Sequence, residues 1–542
     1  MLPPGLETPR QVKAYYEDRY NAFIDSGDYL PFIYPWATLG AAVVLVYLLF
    51  DHRKSPSLQA LRFPAFGVLV AFSAWSVLNM KARSAPAAYG VGLISAWGTL
   101  WTSSIMFFND CQANFKRLER ADTEALQKAV AAAEADGDVN GSLPVAAKKL
   151  AKKSALLSSE GYATQSPAQR KGPVFWQSYP SQPFVARLDW VADAFCSFRG
   201  VGWSFQANGI PKPPKHIELQ LLGYDVDSNS SSDPVKTVSH TGIVRLSSRE
   251  ALLRYVAPRI VLGAAALDVI KCLMHHDAYF WGYMDAVPPA WLPMAISRSA
   301  ILVRSYRLLL SFLGITIALN TIFLLGPIFF CFILGPSRLG LRGEAFMNPV
   351  NFFGNMSLVF KKGLAGWWGG FWHQTFRYAF EAPGSRLLET LGIEKKSQAG
   401  KLIGLFVAFT LSGCLHACGS YTQLGETRPI LGPFRFFITQ AVGIVVQMFA
   451  AQQLKARGAS AKIPGFVRQL GNFAFTIVWL YWTAPLLVDD FAKGGVWLYE
   501  PLIISPLRML GLGAKDDNGW DLWYGLVFWR NGKGWLDTGL AF

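Results

Sequence analysis

Charge is what this 542-residue sequence has least of. Asp, Glu, Lys and Arg make up 16% of it, where a soluble domain carries roughly a quarter. Cysteine is also sparse. The six thiols (111, 196, 272, 331, 414 and 418) sit mostly in or beside apolar runs, with no CxxC pair, which argues against a disulfide framework or a paired-thiol metal site. Cys414 and Cys418 flank His416 at i−2 and i+2, on other helix faces, and read as small membrane thiols. No segment alternates with the two-residue period of a barrel strand, so helices are left as the way to satisfy the backbone in lipid. Internal repeats and inverted duplications of hydropathy are missing too, which weighs against repeat-built transporters. The first twenty residues lack the basic start and short apolar core of a signal peptide, so the first span is expected to act as an uncleaved anchor.

What is present is apolar: 52% hydrophobic residues, with 39 Phe and 19 Trp. Runs long enough to cross a bilayer lie near 31–50, 63–80, 86–108, 186–207, 251–274, 308–335, 402–420, 433–452 and 466–487, with a weaker one near 495–512. The expectation is an all-α, polytopic integral membrane protein with seven to ten transmembrane helices. The basic loop 51–62 belongs on the cytosolic side, and residues 1–30 outside the cytosol. First transmembrane helices fill 31–111. A polar, Ala- and Ser-rich insert follows at 112–185, with ten Lys or Arg against seven acids, and reads as cytosolic and partly disordered. Residues 186–515 are expected to form the main membrane domain, interrupted by a polar loop at 211–250, and 516–542 a C-terminal tail. The net charge of +15 is spread over loops. It therefore reads as topology signals and headgroup contacts rather than as a nucleic-acid surface.

There are seven histidines. His52, His216 and His240 lie in polar stretches and read as solvated side chains. His275 and His276 end an apolar run, where an imidazole complements a helix C-terminus. His416 lies inside LIGLFVAFTLSGCLHACGSY (402–421). At membrane depth an ionisable group faces a cavity or the bundle interior and serves a pathway or a reaction; the alternative is an interhelical hydrogen bond. Desolvation disfavours a charged imidazole, and a general base must be neutral to accept a proton. A second concentration is SLVFKKGLAGWWGGFWHQTFRYAF (357–380). If it is helical from Phe371, one face carries Phe371, Gln374 and Tyr378, and another carries His373, Arg377 and Phe380. Together with Lys361, Lys362 and Arg386, it reads either as an interfacial helix or as the entrance for an amphipathic, phosphate-bearing substrate.

These residues carry a resemblance. WWGGFWHQTFR (367–377) resembles the FWgrrWHq element of the membrane-bound O-acyltransferase superfamily, in its wax-synthase-like branch, through Trp368, Gly369, Trp372, His373 and Gln374. Ser357–Leu358 resembles the SL that precedes it. LSGCLHACG (411–419) resembles the SGllHa helix at Ser412, Gly413, His416 and Ala417, and FRGVGW (198–203) resembles the RGvGW turn. The resemblance spans about 86–510. It implies catalytic roles for His416 and His373, with substrate and coenzyme A contacts from Trp368, Trp372, Gln374, Arg377, Lys361, Lys362, Asn355 and Ser412. Gly370 and Phe371 stand where the branch has paired basic residues, so Lys361, Lys362 or Arg377 would substitute for them.

By the same resemblance no metal and no bound cofactor is expected. Acetyl-CoA or another acyl-CoA is the co-substrate, and a lipophilic alcohol in the bilayer is the acceptor. Homo-oligomerisation is compatible with this reading, and the endoplasmic reticulum membrane is the expected location. The length resembles fungal members that acetylate hydroxyls of terpenoid and meroterpenoid metabolites. His416 would then be the general base, with His373, Gln374 or Asn355 as oxyanion donor. A long-chain wax- or sterol-ester synthase, or a transporter using His416 as proton relay, stay open as alternatives. A prenyltransferase reading of NDCQANFKRLERAD (109–122) fails, because Ala113 and Arg117 stand where a magnesium-diphosphate site needs carboxylates.

Overall fold

The computed structural model describes residues 2–121, 174–181, 183–222, 234–499, 502, 504–519 and 526–542; most of the insert expected at 112–185 lies outside them. The principal helices are α1 (Arg62–Asn79), α2 (Ala85–Met106), α3 (Phe184–Cys196), α4 (Arg249–His275), α5 (Ala300–Ile328), α6 (Ser357–Gly366), α7 (Arg377–Thr390), α8 (Gln398–Thr422), α9 (Arg435–Ala456) and α10 (Gly465–Thr483). Serine hydroxyls start several of them. Ser248 accepts from Ala251 N–H, Ser299 from Leu302 N–H and Ser397 from Gly400 N–H, each satisfying a backbone donor that a helix start leaves open.

Among the described residues, five helices are long and apolar enough to cross a membrane: Pro56–Asn79, Ala300–Leu334, Gln398–Thr422, Ile430–Ala456 and Gly465–Lys493. The chain is an all-α polytopic membrane protein, with fewer such helices than the seven to ten expected. The other expected runs fall short of that length and apolarity for physical reasons. Residues 31–50 yield only a short apolar helix, Trp36–Leu48, and the helical pieces among the described residues of 495–512 are single turns. α2 and α4 are long, 22 and 27 residues, but α2 is rich in Gly, Ser and Thr, and α4 carries Arg254, Arg259, Asp268 and Lys271.

The run 186–207 fails for a different reason. Its helix α3 has 13 residues, and Asp189 and Asp193 turn to a buried guanidinium. Arg117, 2% exposed, lies 2.6 Å from Asp189 and 3.0 Å from Asp193, and Arg342 lies 2.6 Å from Asp189. Burial raises the Asp189 carboxyl, but Arg117 and Arg342 outweigh it and hold the group at about 2. Strands are short. β1 (Ile33–Tyr34) pairs with the last strand of the chain, β2 (Arg117–Arg120) with β3 (Val174–Gln177), and β4 (Phe528–Arg530) with β5 (Gly539–Ala541), all antiparallel. The order β1-β5-β4 ties the C-terminal residues to the N-terminal part.

Candidate active site

His416 lies in the last two turns of α8 and lines a cavity of about 1250 Å³. Its Nδ1 is 2.5 Å from the Tyr89 hydroxyl on α2, and its ring stacks on Phe437 of α9, with centroids 4.6 Å apart at 17°. Tyr89 is braced in turn by Phe491, edge-on at 5.2 Å. Small residues make this meeting of helices feasible. A Cβ at Gly92 would collide with the Cys418 carbonyl, and one at Gly419 would come within 2.7 Å of the Tyr89 ring. Thr422 then locks the crossing, its hydroxyl donating to Ala88 O at 2.6 Å and accepting from Gly92 N–H at 3.1 Å. Close approach through small residues, plus an interhelical hydroxyl, is how helices associate where lipid offers no hydrophobic drive. Cys414 is exposed and Cys418 half-buried.

The second histidine arrives on broken helix. Within α6, Gly363 takes φ 60, a left-handed conformation natural to glycine. The freed Leu364 N–H is met by Gln447 Oε1 at 2.9 Å. Gln447 Nε2 in turn donates to Asn472 at 3.1 Å, whose amide donates to Phe360 O at 3.0 Å. Broken backbone inside a packed helical bundle persists only when neighbours satisfy it. A π-turn over Trp367–Phe371 follows, and regular helix resumes only at Arg377. His373 and Gln374 therefore stand on a turn, and the helical faces expected from Phe371 onward do not form. Gln374 Nε2 reaches Trp368 O at 3.0 Å and Trp372 O at 2.6 Å, while Arg377 donates to its Oε1 at 2.9 Å. His373 sits among aromatics, with Phe352 at 4.7 Å, Phe376 at 5.4 Å and Trp372 at 5.6 Å between centroids. Its Nδ1 is buried without a hydrogen-bond partner, and it lies within electrostatic reach of His416.

The cavity wall unites His416, His373, Trp368, Trp372, Gln374, Arg377 and Ser412 from the sequence-derived set. It does not include Lys361, Lys362 or Asn355. Both lysines are exposed on α6, and the Asn355 side chain accepts from Ser357 N–H at 2.8 Å, capping the start of α6. Gln374 faces the cavity with its amide already committed to the turn. His52, expected in solvent, is 4% exposed, with Nε2 3.1 Å from Asp110; His275 is fully buried against Asp517 at 2.8 Å. Sequence reasoning missed Tyr89, 327 residues from His416, and the wall lysines Lys395 and Lys401. One signal was available: Gly400, Gly404, Ala408, Ser412 and His416 recur at every fourth position, in a row that winds about 40° per step around α8, and all five line the cavity.

Fold and site define a polytopic helical membrane protein whose two converging histidines face an internal, largely apolar chamber. Residues 349–439, which include His373, His416 and Phe437, match the model of the Membrane bound O-acyl transferase family. The resemblance carried by the two histidine motifs holds in this segment. The chain is also similar to fungal transferases: 22% identical over 56% of its length to 61% of the O-Mevalon transferase yanI of Aspergillus niger, and 24% identical over 61% of its length to 71% of the acetyltransferase aurG of Calcarisporium arbuscula. It is 32% identical, over 26% of its length, to 38% of the acetyltransferase ple2 of Rhodocybe pseudopiperita. The chain spans about three fifths of the length of the O-Mevalon transferases it matches. No solved structure matches it.

Proposed function

We propose that this chain transfers an acyl group, acetyl in the first instance, from a coenzyme A thioester to a hydroxyl of a lipophilic small molecule of the terpenoid or meroterpenoid kind, in the endoplasmic reticulum membrane. The observation that carries the reading is the His416 ring, held by Tyr89 and Phe437 and turned to a large cavity that also receives His373. The family match over 349–439 and the relatives' names as acetyltransferases support it.

In this mechanism the His416 Nδ1–H donates to the Tyr89 oxygen, a tautomer assigned here from the role. The Nε2 lone pair is then free toward the chamber. Nε2 takes the alcohol proton as the oxygen attacks the thioester carbonyl. The tetrahedral oxyanion forms beside His373, whose uncommitted nitrogen supplies a hydrogen bond; Asn355 and Gln374 are spent on backbone contacts. Collapse breaks the C–S bond, and the leaving thiolate recovers the proton from the His416 imidazolium. Ester and free coenzyme A result, with the imidazole neutral again.

The test is consumption of labelled donor by microsomes carrying the chain, with a panel of terpenoid alcohols. His416→Ala should lower transfer by at least about 10²-fold at unchanged expression and membrane insertion; full activity in that variant would remove His416 as the base. A chamber of about 1250 Å³ exceeds the roughly 300–1,000 Å³ of an ordinary small-molecule pocket. That favours keeping the long-chain ester-synthase reading in the same assay, and two relatives' names point to a mevalon group. The donor panel therefore includes long-chain acyl and mevalon-type thioesters beside acetyl.

A further inference from the structure

The chamber is mostly apolar, but one end is not. Arg377, Glu381, Ser385, Lys395 and Lys401 line it there, with Glu381, Lys395 and Lys401 exposed. The acid is already matched, since Arg377 Nε lies 2.8 Å from Glu381. Lys395 donates only to the Ser385 hydroxyl, at 3.0 Å, and no ion pair to Lys395 or Lys401 is present among the described residues. From this mouth the every-fourth-residue row of α8 winds inward to His416 through Gly404, Ala408 and Ser412. Such a stripe ordinarily packs against a neighbouring helix. Here Gly404 has open space where a Cβ would stand, and the whole stripe borders the cavity. Gly404 also passes close to Gly384 of α7, so the row forms a cavity wall beside that helix contact.

The groove also has a length. Lys401 and His416 are fifteen residues apart, about 22 Å along a helix. From the nearer pyrophosphate phosphorus to the sulfur, a coenzyme A thioester counts about thirteen bonds. At about 1.2 Å of advance per bond in an extended chain, that arm spans roughly 16 Å, and the pyrophosphate with a lysine side chain covers the difference. We infer that the cavity bordered by the small-residue row of α8 is a measured groove for the pantetheine arm, in which Lys395 and Lys401 hold the phosphates of the donor so that its thioester comes to rest at His416. Gly404 keeps the groove open, and lysine suits the phosphate end as a compact charge. This rests on the transfer reading above and assigns donor residues that the motifs did not contain.

The test compares acetyl-CoA with S-acetylpantetheine, which keeps the arm and lacks the phosphates. The double variant Lys395→Gln/Lys401→Gln should raise KM for acetyl-CoA about tenfold at unchanged kcat, and leave KM for S-acetylpantetheine as in the unaltered protein. Gly404→Leu should lose transfer from both donors at an unchanged melting temperature, because the helix tolerates leucine and nothing occupies the space. Equal shifts for both donors, or none, in the lysine variant would overturn the anchor, and full activity in Gly404→Leu would overturn the groove.

A binding arm separates this inference from the transfer reading. Free coenzyme A should raise the melting temperature of the detergent-solubilised protein, and less so in the lysine variant, even if no acceptor is turned over. Stabilisation by phosphatidic acid and not by coenzyme A would assign the lysines to a lipid headgroup and overturn the donor anchor.

Discussion

At the scale of single residues the site turns on what each polar atom has left to give. Tyr89 spends its hydroxyl on His416, and it touches no reacting atom in the proposed mechanism, so it is a positioning residue. Tyr89→Phe should lower kcat by about tenfold with KM nearly unchanged, whereas a merely structural role would move melting temperature and KM together. His373 is the reverse case, a buried ring nitrogen with no partner. If it meets the oxyanion, His373→Ala should cost about 10²–10³ in kcat, the scale of one lost donor, and His373→Gln should recover part of it. Equal activity in both variants, each close to the unaltered protein, would leave the oxyanion to another group.

At the scale of elements, the histidines are delivered by two unlike devices. α8 is regular helix, started by Ser397 and pressed against α2 through Gly92 and Gly419. The 357–376 stretch is broken helix, held by Gly363 and the Gln447–Asn472 network. Gly363→Ala forces a left-handed φ on a side chain and also pushes a Cβ into Gln447. A loss of about 1–3 kcal/mol is expected from the backbone strain alone, read as a lower melting temperature in detergent. Gln447→Leu should cost about 1–3 kcal/mol by orphaning the Leu364 amide. The sequence marked 357–380 as unusual through its density of aromatics around a histidine. It could not show that the helix breaks, because the partners that make the break tolerable come from α9 and α10, more than eighty residues on.

At the scale of the molecule, the buried Arg117 joins β2 to α3 and, through the shared Asp189, to Arg342 in a later turn. Removing one member of such a cluster leaves charge uncompensated, so Arg117→Ala should destabilise by about 3–5 kcal/mol. The cluster also carries a pH dependence. Asp189 is depressed from its ordinary 3.8 to about 2. Its contribution is therefore complete above about 4 and is lost as pH falls toward 2. The drop in melting temperature across that window should be smaller in Asp189→Asn; an equal drop would place the acid sensitivity elsewhere.

The sequence by itself determined the class. Too little charge, long apolar runs and no alternating period leave helices in a bilayer as the way to satisfy the backbone, and two histidine motifs named the residues that converge. It also held the row from Gly400 to His416, since each residue on a helix stands close to the one four positions on, whatever surrounds them. Only the tertiary structure decided the rest. It showed that 186–207 is a short paired helix and not a span, because Asp189 and Asp193 meet a guanidinium some seventy residues earlier. It set Lys395 and Lys401, rather than Lys361 and Lys362, on the chamber wall, and brought Tyr89 to His416 across 327 positions. Such contacts follow from which helices lie side by side, and that depends on glycine-scale clearances between surfaces rather than on the pattern along any one of them.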